Sequence, residues 1–204
     1  MHKTIDINQR IPLDVLHVAL ESYLNGTYSN DYIIEQLRLE YSGENRIKKS
    51  LRIVNKIVPN NPIIAKLSEH PAEVKNALKK RTDRNVILIA LLCSAFPFAF
   101  DALQTFGKFF LVQDTINSET IKKSISAVYG GNRATENGIY SVVPMFLEAG
   151  FFERTKPGLY SVTKMATVVS EISITAYKES FIQNNGILLP HHELDPYINF
   201  LQQE

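Results

Sequence analysis

FFERTKPGLYSV, residues 151–162, is the stretch on which the reading of the fold turns. Phe151-Phe152 and Leu159-Tyr160-Ser161-Val162 flank Lys156-Pro157-Gly158. Proline followed by glycine suits the two central positions of a type II turn, because proline fixes φ and glycine accepts the positive φ needed next. The expectation is two short strands and a tight turn, in a chain whose other segments repeat apolar residues at helical spacing. Such a hairpin either closes a fold or stands out from it with Arg154 and Lys156 near its tip. Its neighbours in the chain decide which.

Upstream, Ser118 is a good N-cap, and Ile121, Ile125 and Val128 mark a helix of about three turns that stops at Tyr129-Gly130-Gly131. A second helix is expected from Ala134 to about Ala149, with Ile139, Val142, Val143, Phe146 and Leu147 on its apolar side and Gly150 as its stop. Downstream, Thr163 is expected to cap a further helix carrying Met165, Val168, Val169, Ile172 and Ala176. Helix, glycine turn, helix and hairpin follow one another in the order of a winged helix-turn-helix. In that arrangement the second helix enters the major groove of duplex DNA by its N-terminal part, and the wing lies on the backbone or an adjacent groove. The candidate contacts are Arg133, Thr135 and Asn137 at that N-terminus, with Asn132 in the turn before it. Lys122 and Lys123 on the preceding helix, and Arg154 and Lys156 on the wing, are candidate phosphate contacts. Side chains of these types donate to phosphates, and Arg and Asn also read base edges. Pro144 inside the second helix removes a hydrogen bond, so a division near Tyr140 is expected. Winged helices also dock proteins, and the segment by itself leaves DNA binding, protein docking and a structural role open.

The N-terminal half reads as short amphipathic helices. Pro12 precedes Leu13, Leu16, Leu20 and Leu24; Ser29 or Asn30 caps a helix with Ile33, Ile34, Leu37 and Tyr41; a third runs from about Glu44 to Val58. The outer face of the third carries Arg46, Lys48, Lys49, Arg52 and Lys56, for which a solvated surface is the plain reading. Pro71 starts another helix through Lys80-Arg81, and Asp83 is placed to cap the apolar helix of residues 84–96, which Pro97 ends or kinks. Phe98, Phe100, Phe106, Phe109 and Phe110 extend the core. A soft boundary near residues 112–117 gives a helical domain over 1–112 and a second domain over 113–204.

Charge is uneven behind a net of +1: residues 1–44 sum to −4, residues 45–164 to +9 and residues 165–204 to −4. A basic middle between acidic ends points to a polyanionic partner. The apolar run 86–100, VILIALLCSAFPFAF, is fifteen residues long and broken by Pro97. A spanning helix needs roughly twenty, so a core helix is expected and no membrane partner. MHKTIDINQRIPL has no apolar core of a secretory signal. The single Cys93 can build neither a disulfide framework nor a multi-cysteine zinc site, which fits a reducing cytoplasm.

No catalytic constellation stands out. The chain has no GxxxxGK[ST], GxGxxG, HExxH or GxSxG sequence. Tyr129-Gly130-Gly131-Asn132 reads as an inter-helix turn rather than a phosphate loop, and His191-His192-Glu193 as a surface loop rather than metal ligands. A non-enzymatic protein without a cofactor is expected.

The order of these features resembles the small "A" protein of the BREX phage-defence systems, the BrxA-like family. The similar pieces are LESYLNGTYSNDYIIEQLRLEYSGENRIKKSLRIVNKI at 20–57, the apolar segment around 86–110, and GNRATENGIYSVVPMFLEAGFFERTKPGLYSV at 131–162. Leu39-Glu40-Tyr41-Ser42 stands where that family has an asparagine-leucine-leucine stretch, and Ser50 and Arg52 fall within its Ser/Arg/Lys-containing helix. The resemblance implies a mainly α fold, with a helical N-terminal half packed on a winged helix-turn-helix-like C-terminal half bearing one short β-hairpin. It implies a non-enzymatic DNA-binding component of a bacterial anti-phage system, with Lys48, Lys49 and Arg52 adding to the wing's contacts. An adaptor docking other defence proteins, or a transcription regulator, is the alternative.

Overall fold

The computed structural model describes residues 3–163 and 170–201. Seven helices come first: α1 (Leu13–Leu24), α2 (Asn30–Glu40), α3 (Glu44–Ile57), α4 (Ile64–Ser68), α5 (Pro71–Leu78), α6 (Arg81–Ala95) and α7 (Pro97–Phe110). Then follow β1 (Thr115–Asn117), α8 (Ser118–Tyr129), α9 (Arg133–Ala149), β2 (Phe152–Lys156), β3 (Leu159–Val162) and α10 (Glu171–Asn185). Two 3-10 turns, Pro190–Leu194 and Ile198–Leu201, close the described chain. The fold is mainly helical, with one small antiparallel sheet.

A helix that is apolar all round must be surrounded, and α6 is the case in this chain. Every residue from Asn85 to its end is buried, and α1, α3, α5, α7, α9 and α10 all pack on it. Pro97 stops it as expected. Phe96 turns extended, and Pro97 becomes the first residue of α7, where its missing N–H has no intrahelical acceptor to lose. Ser29 caps α2 through the backbone N–H of Tyr32, 3.2 Å away. A single hydrophobic cluster runs from Ile7 to Phe200 and joins both halves of the chain.

Several expectations are corrected. The helix from Pro71 stops at Leu78, and Lys80 turns extended before Arg81 opens α6. Asp83 therefore lies within the first turn of α6, as its third residue, instead of capping it. It is fully buried, and its Oδ1 accepts from the backbone N–H (2.5 Å) and the hydroxyl (2.7 Å) of Ser170, so it holds the start of α10. α10 itself begins at Glu171; Met165, Val168 and Val169 lie outside the described residues. Its buried stripe is Ser173, Ala176, Tyr177, Ser180 and Phe181, spaced for one helical face. The small serines let α10 lie close against α6, and Ile172 is only half-buried. α9 is continuous through Pro144. The proline leaves the Tyr140 carbonyl without its helical donor, but Tyr140 is exposed and water can replace the bond. Val128 is exposed rather than buried, the inward position being taken by Tyr129.

The hairpin is one part of a larger sheet. Strand order is β1-β3-β2, with Ile116 opposite Tyr160 and Phe152 opposite Val162. Lys156 pairs with Leu159, which leaves Pro157-Gly158 as the two-residue turn, Gly158 having φ +78°. The sheet is seated on aromatic rings. Phe106 of α7 stacks on Phe152 at 4.1 Å and meets Tyr160 edge-on at 5.2 Å. Phe151 faces the other way, toward Tyr177 and Phe200.

Candidate nucleic-acid interface

Asn132 starts the local architecture. Its Oδ1 accepts from the N–H groups of Ala134 (2.9 Å) and Thr135 (3.1 Å), two donors that a helix start leaves unpaired. α9 can then leave the Gly130-Gly131 turn at a defined angle, with Arg133, Glu136, Asn137 and Tyr140 exposed along it. On the other side of the turn, Asn117 caps α8 through the N–H of Glu119 at 2.8 Å. The Ser118 N–H donates to the Gly158 carbonyl at 2.8 Å. That bond ties the hairpin tip to the first residue of α8, so the hairpin is held against the helix pair.

Between α8, α9 and the hairpin lies a cavity of about 190 Å³. Ile121, Ile139, Val143 and Pro144 give it apolar walls, with Ser118, Lys122, Tyr140, Arg154, Pro157, Gly158 and Tyr160 completing the lining. The Lys122 ammonium sits 2.9 Å from Glu119 and 5.8 Å from the centre of the Tyr140 ring. Its hydrogen bond to Glu119 raises its pKa above the ordinary lysine value. The Arg154 guanidinium donates to the Tyr160 hydroxyl at 3.2 Å and lies 5.4 Å from that ring's centre. Among the described residues, no side chain lining the cavity is acidic.

The structure brings Lys122 and Arg154 to one groove. Lys123, Arg133, Asn137 and Lys156 are exposed on the elements around it. Asn132 is exposed too, although its carbonyl oxygen is committed to the cap. Thr135 is different: it is fully buried, and its hydroxyl donates to the Gly130 carbonyl at 2.5 Å. Its role is to close the inter-helix turn, and it is withdrawn from any surface contact. Lys48, Lys49 and Arg52 are exposed on α3, whose inner face is Ile47, Ser50, Ile53, Val54 and Ile57. No α3 residue lines the groove.

Tyr140, 61% exposed in the middle of α9, was not among the residues that sequence reasoning selected. The available signal was an aromatic at one helical turn from Asn137, off the Ile139-Val142-Val143-Phe146 stripe. Strand β1 was also missed, since three residues in VQDTINS carry too little pattern.

Elsewhere, Cys93 is buried, and burial pushes its thiol well above the usual range. His192 Nδ1 accepts the Leu189 N–H at 3.1 Å within the Pro190–Leu194 turn. Among the described residues there is no group of three or more metal-ligating side chains, and no helix long and apolar enough to cross a membrane. Comparison with protein-family models, with curated proteins and with solved structures finds no match to this chain.

Proposed function

We propose that the unit from α7 to β3 is a winged helix-turn-helix and that the protein binds duplex DNA without catalysis. The observation that carries the reading is the order helix, strand, helix, helix, hairpin, with the first strand pairing to the last in a β1-β3-β2 sheet. α9 serves as the recognition helix, offering Arg133 and Asn137 to base edges, and Arg154 and Lys156 on the wing hold phosphates. Lys122 and Lys123 add backbone contacts from α8. The net of +9 across residues 45–164 supports the same partner. With the resemblance to BrxA-like proteins, this suggests a component of a bacterial anti-phage system acting in the cytoplasm.

Binding dominated by phosphate contacts weakens steeply with salt, because each neutralised phosphate releases counterions. Mobility-shift titrations of a duplex at about 50 mM and 200 mM salt are expected to show a fall of at least tenfold. Arg154→Glu/Lys156→Glu is expected to weaken binding at the lower salt and to flatten the salt slope. Salt-insensitive binding, or none at the lower salt, sinks the proposal. The apolar walls of the groove favour one second reading, an adaptor that docks another defence protein there. Normal DNA affinity in the charge-reversed variant, together with loss of a protein partner in a pull-down, would establish it instead.

A further inference from the structure

We infer that the groove between α8, α9 and the wing receives a single unstacked nucleobase of the bound DNA, an inference that rests on the DNA-binding reading. A helix that only docks in a major groove needs exposed polar side chains and no cavity behind them. Here the cavity has apolar walls from Ile121, Ile139 and Val143 and an exposed aromatic, Tyr140, at its border. Its volume of about 190 Å³ lies below the roughly 300–1,000 Å³ of ordinary small-molecule sites. That suits one flat ring system better than a drug-sized ligand. The bond from Ser118 to Gly158 holds the wing against α8, so the groove is formed before any partner arrives.

The lining chooses between occupants. An apolar side chain of a protein could fill the walls, but it brings no charge to match Lys122 and Arg154. An extruded base brings the phosphates on either side of its own sugar. Lys122 exchanges Glu119 for one of them, and Arg154, placed over Tyr160, reaches the other. Aromatic stacking on Tyr140 replaces the stacking that the base loses on leaving the duplex. The groove then favours DNA in which that loss is already made, such as a bulge or a mismatch, over a matched helix.

The test uses the full chain and fluorescence anisotropy at fixed salt, with a matched duplex and the same duplex carrying a one-nucleotide bulge. The bulge is expected to bind about tenfold more tightly, within the range that stacking of one base supports. Tyr140→Ala, at an exposed helical position, is expected to lower bulge affinity about tenfold more than matched-duplex affinity, and Tyr140→Phe to keep the preference. Lys156→Glu is expected to weaken both DNAs alike. A 2-aminopurine placed in the bulge is expected to change its emission on binding to the wild type and not to Tyr140→Ala. Equal affinity for the two DNAs, or a preference that survives Tyr140→Ala, overturns the base-binding inference and leaves duplex binding standing. Failure to bind either DNA removes both. Binding of an acidic amphipathic peptide that Tyr140→Ala abolishes, with no preference for the bulge, overturns the inference in favour of the adaptor.

Discussion

Asp83 shows how far a single residue's role can depend on a distant partner. Burial alone would push its carboxyl up. The hydrogen bonds from Ser170, with smaller help from Ser173 and Lys80, outweigh that, and the group titrates below its ordinary value of 3.8. A carboxylate whose folded pKa is lowered contributes stability that is fully present above its unfolded value and is lost as pH falls through the folded one. The expected outcome is that Asp83→Asn, whose oxygen still accepts from Ser170, unfolds with less pH dependence below about pH 4 than the wild type. Asp83→Ala is expected to cost about 1–3 kcal/mol at neutral pH, since it leaves the Ser170 N–H without an acceptor. Urea unfolding of the three proteins across pH 3 to 7 reads both effects, and identical pH profiles for wild type and Asn would refute the assignment.

At the scale of the element, close approach decides which substitutions the helices tolerate. A Cβ on Gly107 of α7 would lie 2.1 Å from the Pro196 carbonyl oxygen and 2.7 Å from its carbon. Those are backbone atoms and cannot rotate away. The segment they belong to is held by Gln104, which donates to both Asp195 oxygens at 3.1 Å, and by Tyr197, stacked on Tyr177 at 4.3 Å. Gly107→Ala is therefore expected to displace the C-terminal turns and to destabilise by about 1–3 kcal/mol, as overpacking does. New proteolytic cleavage after residue 185, with α6 still protected, would be the matching observation; an unchanged digestion pattern and melting curve would contradict it. α9 makes the opposite point. Gly138 lets Phe98 and Ile5 press against the helix, and Pro144 is carried without a break because the carbonyl it deprives belongs to exposed Tyr140.

For the whole molecule, the question is whether the basic middle acts as one surface. α3 packs on α1, α2 and α6 and contributes nothing to the lining of the groove. If Lys48, Lys49 and Arg52 meet the same DNA as the wing, they do so further along it. Reversing all three to Glu is then expected to leave binding to a duplex of about one helical turn, roughly 10 bp, near the wild-type value. The same variant is expected to weaken binding to a longer duplex. A loss on the short duplex equal to that of the wing variant would contradict this arrangement and place α3 beside the groove. Legibility followed the distance over which each feature is specified. The hairpin could be read because Pro157-Gly158 sets its turn within a few residues. α6 could be read because an apolar run of that length has no other stable place. The inner face of α10 was legible only at Ala176, because the face also uses Ser173 and Ser180, which look like surface residues in sequence. The groove was half-legible: Lys122 and Arg154 were expected, while Tyr140 and the cavity beside it were not.

Local chemistry in the sequence alone determined a mainly helical chain, the ends of most helices, the hairpin turn and the basic middle. Caps, turns and apolar periodicity act over a few residues and leave their mark in composition and spacing. Tertiary structure alone decided that β1 joins β3, that Asp83 holds Ser170 rather than capping its own helix, and that α8, α9 and the hairpin border a cavity. Each of these depends on backbone or side-chain groups brought together from separate elements, and the energy of such a meeting is not written in either partner's neighbourhood.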